Sequence, residues 1–249
     1  AQVVNMFLLT RKLMRTSEPY RLSFREMKLR GVYLSNMFRL GIPSGLQNTM
    51  YGISNVIVQI GVNSLGTVVV ASWAMTSKID GIFWAVSNAL GAAITSFVGQ
   101  NLGAKKEDRV KLCVKQGLFL HFGITIGLSG LILLAANPLL HLLTEDPAVI
   151  STTWEMILYF VPFYFTWTLI EVLSAVLRGS GDAVRPVVII GLGICAFRVL
   201  WVVTIFQILH TLPVLCLTYV CSWTLTSIIM LLYFRRSNWL DRSGRILDK

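Results

Sequence analysis

The stretch Lys105–Ala136, KKEDRVKLCVKQGLFLHFGITIGLSGLILLAA, decides the fold. Five cations (Lys105, Lys106, Arg109, Lys111 and Lys115) crowd its opening, and from Gln116 to Ala136 there is no Lys, Arg, Asp or Glu. A helix needs about 20 apolar residues to cross the ~30 Å hydrocarbon core of a bilayer. Cationic loops stay on the cytoplasmic side during insertion. The stretch therefore reads as a basic cytoplasmic loop feeding a spanning helix, placed at 113–136.

The same logic extends to both ends. Five further apolar segments of spanning length lie at 41–62, 68–100, 150–177, 186–209 and 213–234. Of 22 Lys and Arg residues, 20 fall in 11–39, 105–115, 178–185 and 235–249, while the connections 63–66, 137–148 and 209–213 hold none. Cationic and uncharged connections thus alternate, which predicts in-out-in-out threading with both ends cytoplasmic. The fold class is an all-α polytopic membrane protein, multi-pass in the cell (plasma or inner) membrane.

Bulk properties narrow the function. Hydrophobic residues are 55% of the chain and mean hydropathy is +0.68. The net charge of +10 sits in loops beside spans, where it orients helices and meets anionic lipid. No basic stripe interleaves with aromatics, which excludes nucleic acid as a partner. Cys113, Cys195, Cys216 and Cys221 lack CxxC spacing and read as small buried thiols. With three His and no HExxH, no metal site is expected, and no enzyme constellation is visible. Gly191-Leu-Gly193-Ile-Cys-Ala196 has the form of a dinucleotide fingerprint, but no strand precedes it and no acid follows at the right distance.

The regions divide as follows. Residues 1–10 read as the end of a preceding spanning helix, and 11–39 as a basic cytoplasmic loop with an amphipathic helix over 17–39. The six spans occupy 40–235, and 236–249 form a cytoplasmic tail. Gly41/Gly45, Gly99/Gly103 and Gly123/Gly127 are small-xxx-small pairs expected to pack helices within the chain. Pro43 and Pro162 are expected kinks.

Lys78, Asp80, Glu171 and Arg198 lie inside apolar runs, and charges at bilayer depth are candidate functional groups by default. One reading pairs them structurally, as Glu171–Arg198 or Lys78–Glu171. The other follows the polar stripes around them: Asn48, Tyr51, Asn55 and Gln59; Asp80, Trp84, Ser87 and Gly91; Tyr164, Thr168, Glu171 and Ser174; Tyr219, Ser222, Trp223 and Thr226. Stripes on four helices suit a water-filled cavity whose carboxylates and aromatic faces receive hydrophobic cations. Such a carboxylate also exchanges a proton or Na⁺, the elementary step of an ion-coupled antiporter. The candidate ion- and substrate-binding residues are Asp80, Glu171, Lys78, Arg198, Asn48, Tyr51, Asn55, Trp84 and Thr168.

Lys78-Ile-Asp80-Gly-Ile-Phe-Trp84, continuing to Phe97-Val-Gly-Gln-Asn-Leu-Gly103-Ala, resembles the second helix of the C-terminal half of a multidrug and toxic compound extrusion (MATE) transporter. Gly41-Ile-Pro43 and Leu177-Arg-Gly-Ser-Gly-Asp182 are similar to that family's patterns at matching positions. The resemblance covers nearly the whole chain. It implies one six-helix lobe of a twelve-helix transporter, with an N-terminal six-helix lobe as partner beside membrane lipid. It further implies export of cationic or amphiphilic small molecules in exchange for Na⁺ or H⁺ by alternating access, with no cofactor beyond the coupling ion. The sequence departs from the family's acids: the first span has none, and Trp167 stands one turn from Glu171 where one is expected. Asp80 is the candidate replacement. The alternatives are a lipid-linked oligosaccharide flippase of the same superfamily, or a structural half-lobe with coupling in the other lobe.

Overall fold

The computed structural model describes residues 2–18, 21–24 and 31–240. The chain separates into two compact units, 1–39 and 40–249. In the first, α1 (Gln2–Arg15) buries none of its side chains, and the Leu22 N–H donates back to the Leu13 carbonyl (3.0 Å). Residues 17–18 and 21–24 are non-helical. The basic middle of the stretch expected to be amphipathic, 25–30, lies outside the described residues, as does 241–249 of the tail.

From α2 (Gly31–Ser64) onward the described chain is helix and short turns. α3 (Thr67–Gly103) and α4 (Glu107–Leu143) run 37 residues each, about 55 Å at 1.5 Å per residue, far beyond the ~30 Å apolar core. The spans expected at 68–100 and 113–136 are both inside them, but the flanking connections are shorter than the charge pattern implied. Glu107 and Asp108 sit in the first turn of α4, where acids favour helix over loop through the peptide dipoles. Pro138 is tolerated within the last turns.

Pro162 breaks the fourth expected span. α5 (Pro147–Phe160) begins with the Asp146 carboxylate accepting from the Ala148 N–H (2.9 Å). It gives way to a 3-10 turn at Val161–Phe163, and α6 (Tyr164–Gly179) resumes the path. The fifth span is less regular still: α7 (Val184–Ile190), a π-helical turn at Gly191–Ala196, α8 (Phe197–Val203) and α9 (Ile205–Leu209). α10 (Leu212–Arg236) is the sixth. Two turns need glycine, Gly66 (φ 98°) between α2 and α3 and Gly181 (φ 85°) after α6, because a Cβ disfavours the left-handed region.

Five of these stretches are long and apolar enough to cross a membrane: Thr67–Gly103, Glu107–Leu143, Pro147–Gly179, Val184–Leu209 and Leu212–Arg236. The expected first span, 41–62, lies within α2, whose Gln47, Asn48, Asn55 and Gln59 lower its apolar character.

α6 is the hub. It packs against α3, α4 and α10 and buries residues all round its circumference. α4 instead presents Phe119, Leu134 and Leu142, each over 80% exposed, an apolar face suited to lipid. α2 touches the bundle through Val58 and Val62, which join Val202, Phe206 and Leu215 in a second apolar cluster.

The small-xxx-small pairs do not mark the close contacts. A Cβ at Gly41, Gly45, Gly103, Gly123 or Gly127 would meet nothing within 4 Å, and Gly99 has only the Gly179 carbonyl at 3.5 Å. The tight positions are elsewhere: Gly91 against Glu171, Gly179 against the Thr95 carbonyl, and Gly193 against Thr226. Spacing identifies a small-residue stripe, but which stripe meets a neighbour depends on how each helix is rotated.

Candidate functional site

A cavity of about 720 Å³ opens between the polar face of α2 and a wall built from α3, α6, α8 and α10. α2 contributes Gln47, Asn48, Tyr51, Asn55 and Gln59, one stripe at helical spacing. α3 contributes Trp73, Thr76, Asp80, Trp84 and Asn88, again one face.

Asp80 is half-buried and accepts a hydrogen bond from the hydroxyl of Tyr164, the first residue of α6. Tyr164 is fully buried and stacks on Phe83, with centroids 4.0 Å apart and planes 8° apart. The 3-10 turn around Pro162 ends where Tyr164 begins. The local break in the helix therefore sits directly beside the carboxylate's hydrogen-bond donor.

Glu171 is 8% exposed and pairs with Arg178, two turns further along α6, at 3.1 Å. Gly91 of α3 makes room for it, since a Cβ there would overlap the Glu171 carboxylate. Arg198 of α8 is 4% exposed. Its Nε donates to Ser222 Oγ (3.1 Å), and its guanidinium carbon lies 3.8 Å from the Tyr219 ring centroid, a cation–π arrangement. The structural pairs expected from sequence, Glu171–Arg198 and Lys78–Glu171, are not formed. The ion pairs among the described residues are Arg178–Glu171 and Arg185–Asp182. A partner on the same helix reaches Glu171 with less reorganisation than one on a neighbour.

Aromatic rings pave the wall. Trp84 meets Trp167 edge-on at 4.9 Å, Trp223 lies 5.9 Å from Tyr164, and Tyr219 lies 5.7 Å from Trp223 and 5.6 Å from Trp73. Two donors on lining residues, Tyr51 OH and Trp223 Nε1, are buried without a hydrogen-bond partner.

Of the residues singled out in the sequence, Asn48, Tyr51, Asn55, Asp80, Trp84, Glu171 and Arg198 line this cavity together. Lys78 and Thr168 are not on its wall. Lys78 is exposed, because two residues along a helix from Asp80 turns it some 200° away. Thr168 is buried on the α4 side of α6, bonded to His121 Nδ1 (3.0 Å) and Thr125 Oγ1 (3.3 Å). His121 Nε2 also meets Ser87 Oγ (3.1 Å), so Ser87 belongs to that cluster as well. Sequence reasoning missed this polar cluster, although the lone His of α4's apolar run was its signal. It also missed Arg178, whose i, i+7 spacing from Glu171 places both on one face.

The MatE family model matches residues 43–204. The chain belongs to the MatE family. Its similarity to the Bacillus subtilis (strain 168) protein named "Probable multidrug resistance protein YoeA" is 24% identity over 66% of this chain and 36% of that one. With the Thermotoga maritima protein named "Probable multidrug resistance protein NorM" it shares 23% identity over 65% of this chain and 35% of that one. The matched stretch thus spans about a third of these relatives' length. The solved structure described as "Crystal structure of MATE in the bent conformation" superposes with a TM-score of 0.83 at 17% identity, covering 99% of this chain and 55% of that one. An outward-facing multidrug resistance MATE family transporter gives 0.76 at 20% identity, over 86% of this chain and 49% of that one. MatE proteins are multi-pass membrane transporters, and the helical fold here is theirs.

Proposed function

We propose that this MatE chain supplies one lobe of an exporter of aromatic organic cations, driven by Na⁺ or H⁺ exchange, with Asp80 and Glu171 as the carboxylates where substrate and coupling ion compete. The observation that carries this is the half-buried Asp80 carboxylate, which has no cationic partner among the described residues and stands on a wall of Trp73, Trp84, Trp167 and Trp223. A planar cation gains from ring faces and from a carboxylate together. The names of its relatives, multidrug resistance proteins, accord with such a substrate class. The second six-helix lobe, the inter-lobe assignment of 11–39 and a plasma or inner membrane location belong to the same proposal. An ion entering the cavity neutralises a carboxylate, so cation and ion are held in turn, and differential affinity between the two conformations sets the direction.

Proteoliposomes of the complete transporter containing this lobe, loaded with ethidium, give the test. Either a Na⁺ or a pH gradient should drive dye movement, and Asp80→Asn or Glu171→Gln should abolish it while the protein still folds. Lys78→Gln should transport as wild type. If neither gradient moves dye through wild type, the cation-export reading fails. If both variants transport normally, the coupling residues lie outside this lobe.

A further inference from the structure

α3 and α6 meet in three polar rungs. Asp80 meets the Tyr164 hydroxyl, and Gly91 makes room for the Glu171 carboxylate. Between them Ser87 and Thr168 are bridged by His121 of α4, whose Nε2 lies 3.1 Å from Ser87 Oγ and whose Nδ1 lies 3.0 Å from Thr168 Oγ1. Tyr164, Thr168 and Glu171 are spaced i, i+4, i+7, so on α6 the middle rung is about one turn from each outer one. A buried histidine thus stands between two carboxylates, with no task in the transport cycle proposed above.

Its partners are unusual. Thr76, Thr153 and Thr226, buried elsewhere in the bundle, each donate to the carbonyl four residues back, the ordinary bond of a helical hydroxyl. Among the described residues, Ser87, Thr125 and Thr168 make no such bond and turn to His121 instead. A neutral ring donates through one nitrogen and accepts through the other. A doubly protonated ring donates through both, and each hydroxyl proton is then free for its own carbonyl. Either charge state leaves no group unpaired. The gap beside the ring, between Phe83, Leu90, Ile124 and Leu128, is too small for a water molecule, so the protein alone supplies these partners. A charge at this depth also needs counter-charge. α4 has no Lys, Arg, Asp or Glu from Gln116 to Ala136. Of the helices packed on it, α3 carries Asp80, with Lys78 exposed on its other side. α6 carries Tyr164 and Glu171, the latter held by Arg178, and α5 carries an exposed Glu155 and Tyr159. Asp80, without a cationic partner among the described residues, supplies the negative charge.

We infer that His121 is a proton-binding site controlled by the cavity's occupant: the ring holds a proton while no cation is at Asp80 or Glu171, and gives it up to water when an organic cation arrives there. The cation never touches the ring and acts on it through the field along the rungs. The proton leaves by way of the Ser87 or Thr168 hydroxyl, whose sequence neighbours Asn88 and Trp167 line the cavity. This rests on the cavity being the transport site.

The test is magic-angle-spinning nitrogen NMR of the histidine-labelled complete transporter in liposomes, with the His121 signal assigned by its absence in His121→Asn. From pH 9 to pH 5 the ring should pass from the neutral to the doubly protonated pattern. At the pH where half the rings are protonated, saturating ethidium should leave about a tenth protonated, a roughly tenfold change in proton affinity and, by linkage, in cation affinity. Asp80→Asn should likewise hold fewer than half its rings protonated at that pH. At pH 9, where the ring is neutral, His121→Asn should bind ethidium as wild type does. A ring still neutral at pH 5 overturns the site. A protonated fraction unmoved by ethidium, while fluorescence polarisation shows the dye bound, overturns the control by the cavity. If the dye binds at no pH, the transport-site reading falls, and the titration still decides the proton site.

Discussion

Breaking the Glu171–Arg178 pair gives a quantitative handle on the cavity wall. The atoms lie 3.1 Å apart, with side-chain exposures of 11% and 25%. At an effective dielectric of about 20, the bare attraction at that distance is roughly 5 kcal/mol. Desolvation and side-chain ordering offset much of it: removing one partner of a fully buried pair costs about 3–5 kcal/mol, and exposed pairs contribute only about 0.2–1 kcal/mol. With Arg178 a quarter exposed, a coupling of about 2 kcal/mol is expected. A double-mutant cycle with Arg178→Met, Glu171→Gln and the combined variant, unfolded by sodium dodecyl sulfate titration in mixed micelles and followed by circular dichroism, measures it directly. Each single variant should lose about 2–3 kcal/mol, and the double variant should lose about 2 kcal/mol less than their sum. Repeating the cycle in a Gly91→Ala background should shrink the coupling, because the new Cβ displaces the Glu171 carboxylate. A coupling below about 0.5 kcal/mol, the usual additivity scatter, would refute the pairing. So would a coupling of 2 kcal/mol found instead between Glu171 and Arg198.

Two further outcomes follow from positions away from the charges. Gly179→Ala should destabilise by about 1–3 kcal/mol, because its Cβ would lie 2.6 Å from the Thr95 backbone carbonyl, which cannot swing aside as a side chain can; thermal melting in detergent reads this, and an unchanged midpoint would mean α3 and α6 sit further apart than described. His121→Leu strips the Ser87, Thr125 and Thr168 hydroxyls of a shared partner and should cost about 1–3 kcal/mol, yet leave ethidium affinity unchanged since the cluster lies outside the cavity; a loss of affinity without a loss of stability would place it in the transport path.

Hydropathy located five of the six expected spans among the described residues, because the bilayer imposes one length on every crossing helix and that length is written in composition. It did not foresee that α4 would run through Glu107–Lys115 and past Pro138, since a helix can project beyond the membrane with no apolar requirement. At the site, Asp80, Glu171 and Arg198 were legible because a charge inside an apolar run stands out, and the α2 stripe because one side of that helix is polar. Thr168 was misplaced for a physical reason. α6 is buried on all sides, so a polar residue on it can face any of three neighbours, and helical spacing cannot choose among them. Lys78 was singled out with Asp80 because both are charges inside an apolar run, although the two point to opposite sides of α3. Arg178 was assigned to a loop by its charge, yet it lies in the last turn of α6.

The π-helical turn at Gly191–Ala196 carries one residue more than the α-turns it replaces, so everything after it is rotated by roughly 100° from the register an uninterrupted helix would hold. Arg198 comes two residues later. Its guanidinium reaches Tyr219 only because of that surplus residue. Deleting one position within the bulge would restore an unbroken α-helix and leave the arginine on the wall, whereas the same residues wound as regular α-helix would carry it about 100° away. Which side chain this lobe offers to a ligand is therefore set as much by how the turn before it is wound as by the residues that compose it.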